Sequence, residues 1–125
     1  MTERTTREFL AITKALGDRS RVRALMAVRE GELCLCQIIE VLGLSPATVS
    51  KHMNLLYHAG LVQRRKSGKW HYYRLADAEA SPLARRALDW AREGLEQDPT
   101  VREDSRRIRQ VRRQALEELS ACYRS

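Results

Sequence analysis

The sequence predicts a mainly α-helical chain carrying one small β-hairpin, and three observations carry that prediction. Residues 32–61, ELCLCQIIEVLGLSPATVSKHMNLLYHAGL, read as two short helices joined by a tight turn. Ile38, Ile39, Val41 and Leu42 on the first, and Val49, Met53 and Leu56 on the second, have the spacing of buried helical stripes. After Gly60 the period changes: 61–66 (LVQRRK) and 70–75 (WHYYRL), rich in aromatic and β-branched residues, flank the glycine-containing turn 67–69. One bracing helix, one helix presenting polar side chains, and a basic hairpin directly after them make a winged helix-turn-helix.

Taken in order, the first helix spans about residues 4–17, with Phe9, Ile12, Ala15 and Leu16 at helical spacing and Gly17 at its end. Asp18 or Ser20 can cap a second helix over about 20–29, built on Val22, Leu25, Met26 and Val28. Arg19, Arg21 and Arg23 crowd its start, where positive charge opposes the helix dipole. They point either to a partner or to a solvated face. Gly31 breaks the chain before the helix-turn-helix. Its second helix opens on Ser45 as cap and Pro46 at the first position, where a missing N–H costs nothing, and Gly60 closes it. Pro82 starts a helix over 82–97, with Leu83, Ala87, Leu88, Ala91 and Leu95 on its apolar face. Asp98 and Pro99 mark a break. A last, arginine-rich helix runs from about 100 to 123, with Ile108, Val111, Ala115, Leu119 and Cys122 as its stripe.

At 125 residues there is room for one small domain, and so short a chain gains from burying surface in a dimer. A net charge of +7 favours a polyanionic partner. Nucleic acid comes before membrane, because no stretch approaches the roughly 20 apolar residues of a span. The N-terminus lacks the apolar core of a secretory signal. Three cysteines, two of them one residue apart, fit reduced thiols in a cytoplasm better than a disulfide framework. No Ser/His/Asp pattern, phosphate-cradling glycine loop or carboxylate pair marks an enzyme.

Thr48, Ser50, Lys51, His52 and Asn54 lie between the stripe positions of the second helix, and Arg64, Arg65, Lys66 and Lys69 crowd the hairpin tip. Cys34 and Cys36 stand at the start of the bracing helix. On a regular helix of about 3.6 residues per turn, side chains two apart diverge by about 200° and cannot share one ion. If the first turn unwinds to an extended chain, they fall on one side. Binding a thiophilic ion would then favour a distorted helix start, and that distortion would move the recognition helix. Soft thiolates select trivalent arsenic or antimony, then cadmium or lead.

ELCLCQIIEVLGLSPATVSKHMNLLYHAGLV followed by a basic hairpin resembles the ArsR/SmtB family of winged-helix repressors, over about residues 5–96. The Glu32-to-Cys36 run looks like the cysteine box of its arsenic- and cadmium-sensing branches. The resemblance implies a homodimer joined through the first helix and the 82–97 helix, bound to a two-fold, double-stranded operator. Residues 1–97 would then form the DNA-binding and dimerisation domain and 98–125 an appended helix. By position, Ser45, Thr48, Ser50, Lys51, His52 and Asn54 become DNA contacts, and Arg65, Lys66 and Lys69 wing contacts. The effector it implies is trivalent arsenic, as arsenite or an organoarsenical, with antimony next. Many arsenic sensors carry a third cysteine where this chain has Ile39, so either two thiolates suffice or Cys122 supplies a third. The family's zinc site needs histidine, and 82–97 has none; no cysteine precedes Cys34, which weakens a cadmium or lead sensor that uses an N-terminal thiol pair. Two further readings stay open: a thiol-redox or reactive-sulfur-responsive repressor of the same fold, and a constitutive architectural DNA binder.

Overall fold

Helix starts are written into the chain as side-chain caps. Thr2, Asp18, Ser45, Ser81 and Asp98 each accept the backbone N–H three residues on, opening α1 (Glu3–Ala15), α2 (Arg19–Ala27), α4 (Pro46–His58), α5 (Pro82–Leu95) and α6 (Pro99–Val111). Between α2 and α4 lie β1 (Leu33–Cys34) and the bracing helix α3 (Leu35–Leu42). After α4 come β2 (Val62–Ser67), β3 (Trp70–Leu75), a single 3₁₀ turn over Asp77–Glu79 and, beyond α6, the short α7 (Leu116–Ala121). The computed structural model describes residues 2–121. None of the described helices is long and apolar enough to cross a membrane.

The core of the helix-turn-helix is the predicted one: Val49, Met53 and Leu56 of α4 meet Ile38, Val41 and Leu42 of α3, all nearly inaccessible, over Leu25 and Met26 of α2, whereas Phe9 and Ala115 of the predicted stripes are exposed. Gly43, in the left-handed region at φ +69°, ends α3 and makes the tight turn into α4. Gly68, at φ +59°, does the same for the wing. The fold is a winged helix-turn-helix, mainly helical with a small antiparallel sheet.

Three features depart from the sequence reading. The hairpin is really a three-stranded sheet in the order β1-β3-β2, because Leu33 and Cys34 pair with Tyr73 and Tyr72. A two-residue strand has no period of its own to detect. The single last helix breaks in two at 112–115, where N–H groups of Arg113 and Gln114 bond three residues back rather than four. That turn lets Leu119 bury as α7 folds back over α3.

The arginines at the start of α2 are the third. Arg21 caps the C-terminus of α1, donating from Nε to the Ala15 carbonyl and from Nη2 to that of Lys14, both at 2.9 Å. Arg23 forks onto the buried Asp104 of α6 at 2.9 and 3.0 Å. Arg107 of α6 likewise donates to the Glu40 and Val41 carbonyls at the end of α3. Arg21, Arg23 and Arg107 thus serve helix C-termini and α6 docking. Through Val101, Ile108 and Val111, α6 belongs to the same core as the helix-turn-helix.

Candidate functional site

Ser45 holds the start of the recognition helix with its own hydroxyl, accepting the Thr48 N–H and donating to Thr48 Oγ1 at 2.8 Å. With Val49, Met53 and Leu56 turned inward, Ser45, Thr48, Lys51 and Asn54 stand exposed on the opposite face. Ser50 is half-buried. It lines a groove of about 560 Å³ between α4 and the wing, together with Asn54, Tyr57, Arg64 and Lys66. His52 lies elsewhere: its side chain is 12% exposed and sits against α2, with Nδ1 3.4 Å from Arg21 Nη1 and Nε2 3.8 Å from Asp18 Oδ2. Burial lowers its pKa from the ordinary value, with Asp18 pulling the other way.

The wing cations are tethered to different elements. Arg64, absent from the contacts implied by the resemblance, lies 3.8 Å over the Tyr57 ring and donates to Asn54 Oδ1 at 2.9 Å, so it belongs to the recognition helix's polar face. Arg65 forks onto Glu32 at 2.9 and 2.6 Å and lies over the Tyr72 ring. Lys69 at the tip is 3.4 Å from Glu117 of α7 and 4.9 Å from the Trp70 ring centre. Lys66 is exposed. Nothing local in the sequence pairs Glu32 with a residue 33 positions away, or Glu117 with the wing; only the tertiary fold does.

Cys34 is the last residue of β1 and the N-cap of α3, with extended φ −72° and ψ 150°. Gln37 reaches back to accept its N–H at 2.8 Å, the reciprocal half of a capping box. This strand-to-helix junction brings the sulfurs together: Cys36 Sγ–H donates to Cys34 Sγ at 3.2 Å, both side chains buried. The convergence that a regular helix forbids is built into the fold by the strand, so no ion is required to unwind the helix start. Burial, then the hydrogen bond to Cys34, pushes the Cys36 thiol up to about 12. Among the described residues no group of three or more His, Cys, Asp and Glu converges to hold a metal. Cys122 lies outside them.

One apolar surface remains open. Phe9 and Leu10 on α1 and Trp90 on α5 are 51%, 58% and 71% exposed, beside a groove floored by Ile12, Leu83 and Ala87. Monomeric proteins seldom leave such side chains grouped in water.

Residues 18–64, from the α2 cap into the wing, match the family model described as bacterial regulatory protein, arsR family. A cadmium resistance transcriptional regulatory protein homologue of Staphylococcus aureus is 40% identical over 83 residues, covering 66% of this chain and 69% of its own. An arsenic resistance transcriptional regulator of Pseudomonas putida is 43% identical over 65 residues, 51% of each chain. The chain thus spans about half the length of that relative. Among solved structures, the homodimeric winged helix-turn-helix DNA-binding domain of a possible ArsR-family regulator of Mycobacterium bovis superposes with a TM-score of 0.63. At 22% identity it covers 79% of this chain and 91% of its own. The chain belongs to the arsR family of bacterial regulatory proteins.

Proposed function

We propose that the protein is a transcriptional repressor that binds double-stranded operator DNA as a homodimer and releases it when trivalent arsenic bridges Cys34 and Cys36. The observation that carries this reading is the pair of buried sulfurs 3.2 Å apart at the start of the bracing helix. With metal–sulfur bonds of about 2.3 Å, as for zinc, that separation closes at roughly 90°, tighter than the tetrahedral angle zinc adopts. A three-coordinate pyramidal centre accepts it. The high Cys36 pKa points the same way. Trihydroxyarsenic and two thiols exchange to a dithiolate hydroxide and two waters, each thiol proton leaving on a hydroxide the arsenic already carries. Arsenic stays trivalent. Antimony(III) has the same chemistry. A divalent cation brings no hydroxide and must expel each proton to solvent.

The name of the Pseudomonas putida relative supports arsenic and that of the Staphylococcus aureus relative supports cadmium, which makes a cadmium or lead sensor the second reading. Oxidation fits less well, since the thiolate is the reactive form and this thiol resists ionisation. For DNA, the support is the exposed Ser45, Thr48, Lys51 and Asn54, with Ser50 in the groove beside them and Lys66, Lys69, Arg64 and Arg65 along the wing. His52 is assigned instead to holding α4 against α2. The exposed Phe9, Leu10 and Trp90 supply the dimer face on α1 and α5. Fluorescence anisotropy on the protein's own promoter fragment tests the proposal. Phenylarsine oxide should release wild type and Cys122→Ser but not Cys34→Ser or Cys36→Ser. Release of the Cys36→Ser variant refutes the two-thiol site.

A further inference from the structure

The sheet carries a closed circuit of contacts with the thiol pair on one side and the wing on the other. Cys34 faces Tyr72 across the β1–β3 ladder, and Tyr72 faces Arg65 across the β3–β2 ladder. The Arg65 guanidinium lies 4.3 Å over the Tyr72 ring and returns through Nε and Nη2 to the two carboxylate oxygens of Glu32. Glu32 stands two residues before Cys34, so a constraint at the sulfur reaches Arg65 both through the ladder and through the carboxylate. The fork fixes the plane of the guanidinium and leaves its Nη1–Nη2 end to face a phosphate. The pair sits at the rim, its side chains 55% and 29% exposed. Rim ion pairs contribute little to stability. What this one does set is direction.

We infer that Glu32 is the positioning residue through which the thiol pair governs the wing. Bridging replaces the yielding Cys36–Cys34 thiol hydrogen bond with two covalent bonds at the same separation, pins the end of β1 to the first turn of α3, and through Glu32 locks Arg65 in the fork, away from the DNA backbone. The inference rests on the thiol reading above and adds the element that transmits it.

The test uses the full chain, phenylarsine oxide as probe and the promoter fragment as DNA, on wild type, Glu32→Gln and Arg65→Lys. Free-thiol loss reads arsenical occupancy, anisotropy reads operator affinity with and without arsenical, and a thermal melt reads stability. Wild type should lose affinity by a factor of about 5–150, the usual range of allosteric coupling. Glu32→Gln should take up the arsenical with the same stoichiometry, melt at the same temperature and keep most of its operator affinity. Arg65→Lys, a cation that cannot close the two-bond fork, should show the same loss of response. A Glu32→Gln protein released as fully as wild type overturns the inference while leaving the thiol reading standing. A wild type whose thiols take up no phenylarsine oxide removes the thiol reading, and the inference falls with it.

Discussion

Replacing Trp90 by alanine tests the proposed dimer face in isolation, because the side chain is 71% exposed and its removal opens no cavity in the core. A tryptophan side chain buries on the order of 200 Å² when fully covered. The exposed fraction therefore leaves about 140 Å² per protomer to be covered by a partner, worth about 3.5 kcal/mol at about 25 cal/mol/Å². A two-fold interface counts it twice, an upper bound of about 7 kcal/mol for the dimer. Alanine truncations of anchoring tryptophans cost about 2–4 kcal/mol each, so the dissociation constant should rise by a factor of at least about 30. Sedimentation velocity over a concentration series measures this directly, and a melt confirms that the protomer still folds. Operator binding should weaken in parallel, since a monomer reads one half-site. A Trp90→Ala protein that stays dimeric at the wild-type concentrations refutes the assignment of the interface to α1 and α5.

Three other perturbations follow from side chains already described. Asp104→Ala leaves the Arg23 guanidinium largely buried without its partner and should cost about 3–5 kcal/mol of stability; a melting temperature equal to wild type would show that α6 does not depend on the pair. The pKa of His52 is lowered in the folded protein, so the unfolded chain binds more protons as pH falls below 6.5. This stabilisation is present above pH 6.5 and is lost as pH drops through the folded pKa. His52→Gln should flatten denaturant-measured stability in that window, and an unchanged slope refutes it. Glu117→Gln frees Lys69 from its carboxylate. Operator affinity should rise and its log–log salt slope steepen by about 0.9, the increment for one phosphate; an unaltered slope means Lys69 does not reach DNA.

Local chemistry made the helices legible. Caps such as Ser45-Pro46 and Ser81-Pro82, and stripes such as Val49, Met53 and Leu56, act over three or four residues and can be read from one segment. The cysteine pair was legible as a pair, but the expected unwinding of the first helical turn does not occur: only Cys34, the N-cap, is extended, and α3 is helical from Leu35. What holds Cys34 extended was hidden, because β1 exists only by pairing with Tyr72 and Tyr73 nearly forty positions later. His52 shows the same limit: Lys51 and Asn54 near it on α4 are exposed, but His52 packs against Asp18 and Arg21. Arg21 and Arg23, seen as surplus charge, proved to be a helix cap and half of an ion pair, and the partner of Arg23, Asp104, lies 81 residues away.

The most direct measurement is the pH dependence of DNA release, read by anisotropy between pH 6 and 8 with arsenite and with cadmium in parallel. The Cys36 thiol, with a pKa near 12, stays protonated throughout that range. Arsenite removes that proton as water, so its half-release concentration should stay flat with pH. Cadmium must expel protons and should act more potently by about tenfold per pH unit for each proton lost. A flat arsenite response that Cys36→Ser abolishes agrees with a metalloid switch at the two buried thiols. Release by cadmium alone, or arsenite release that survives Cys36→Ser, contradicts it.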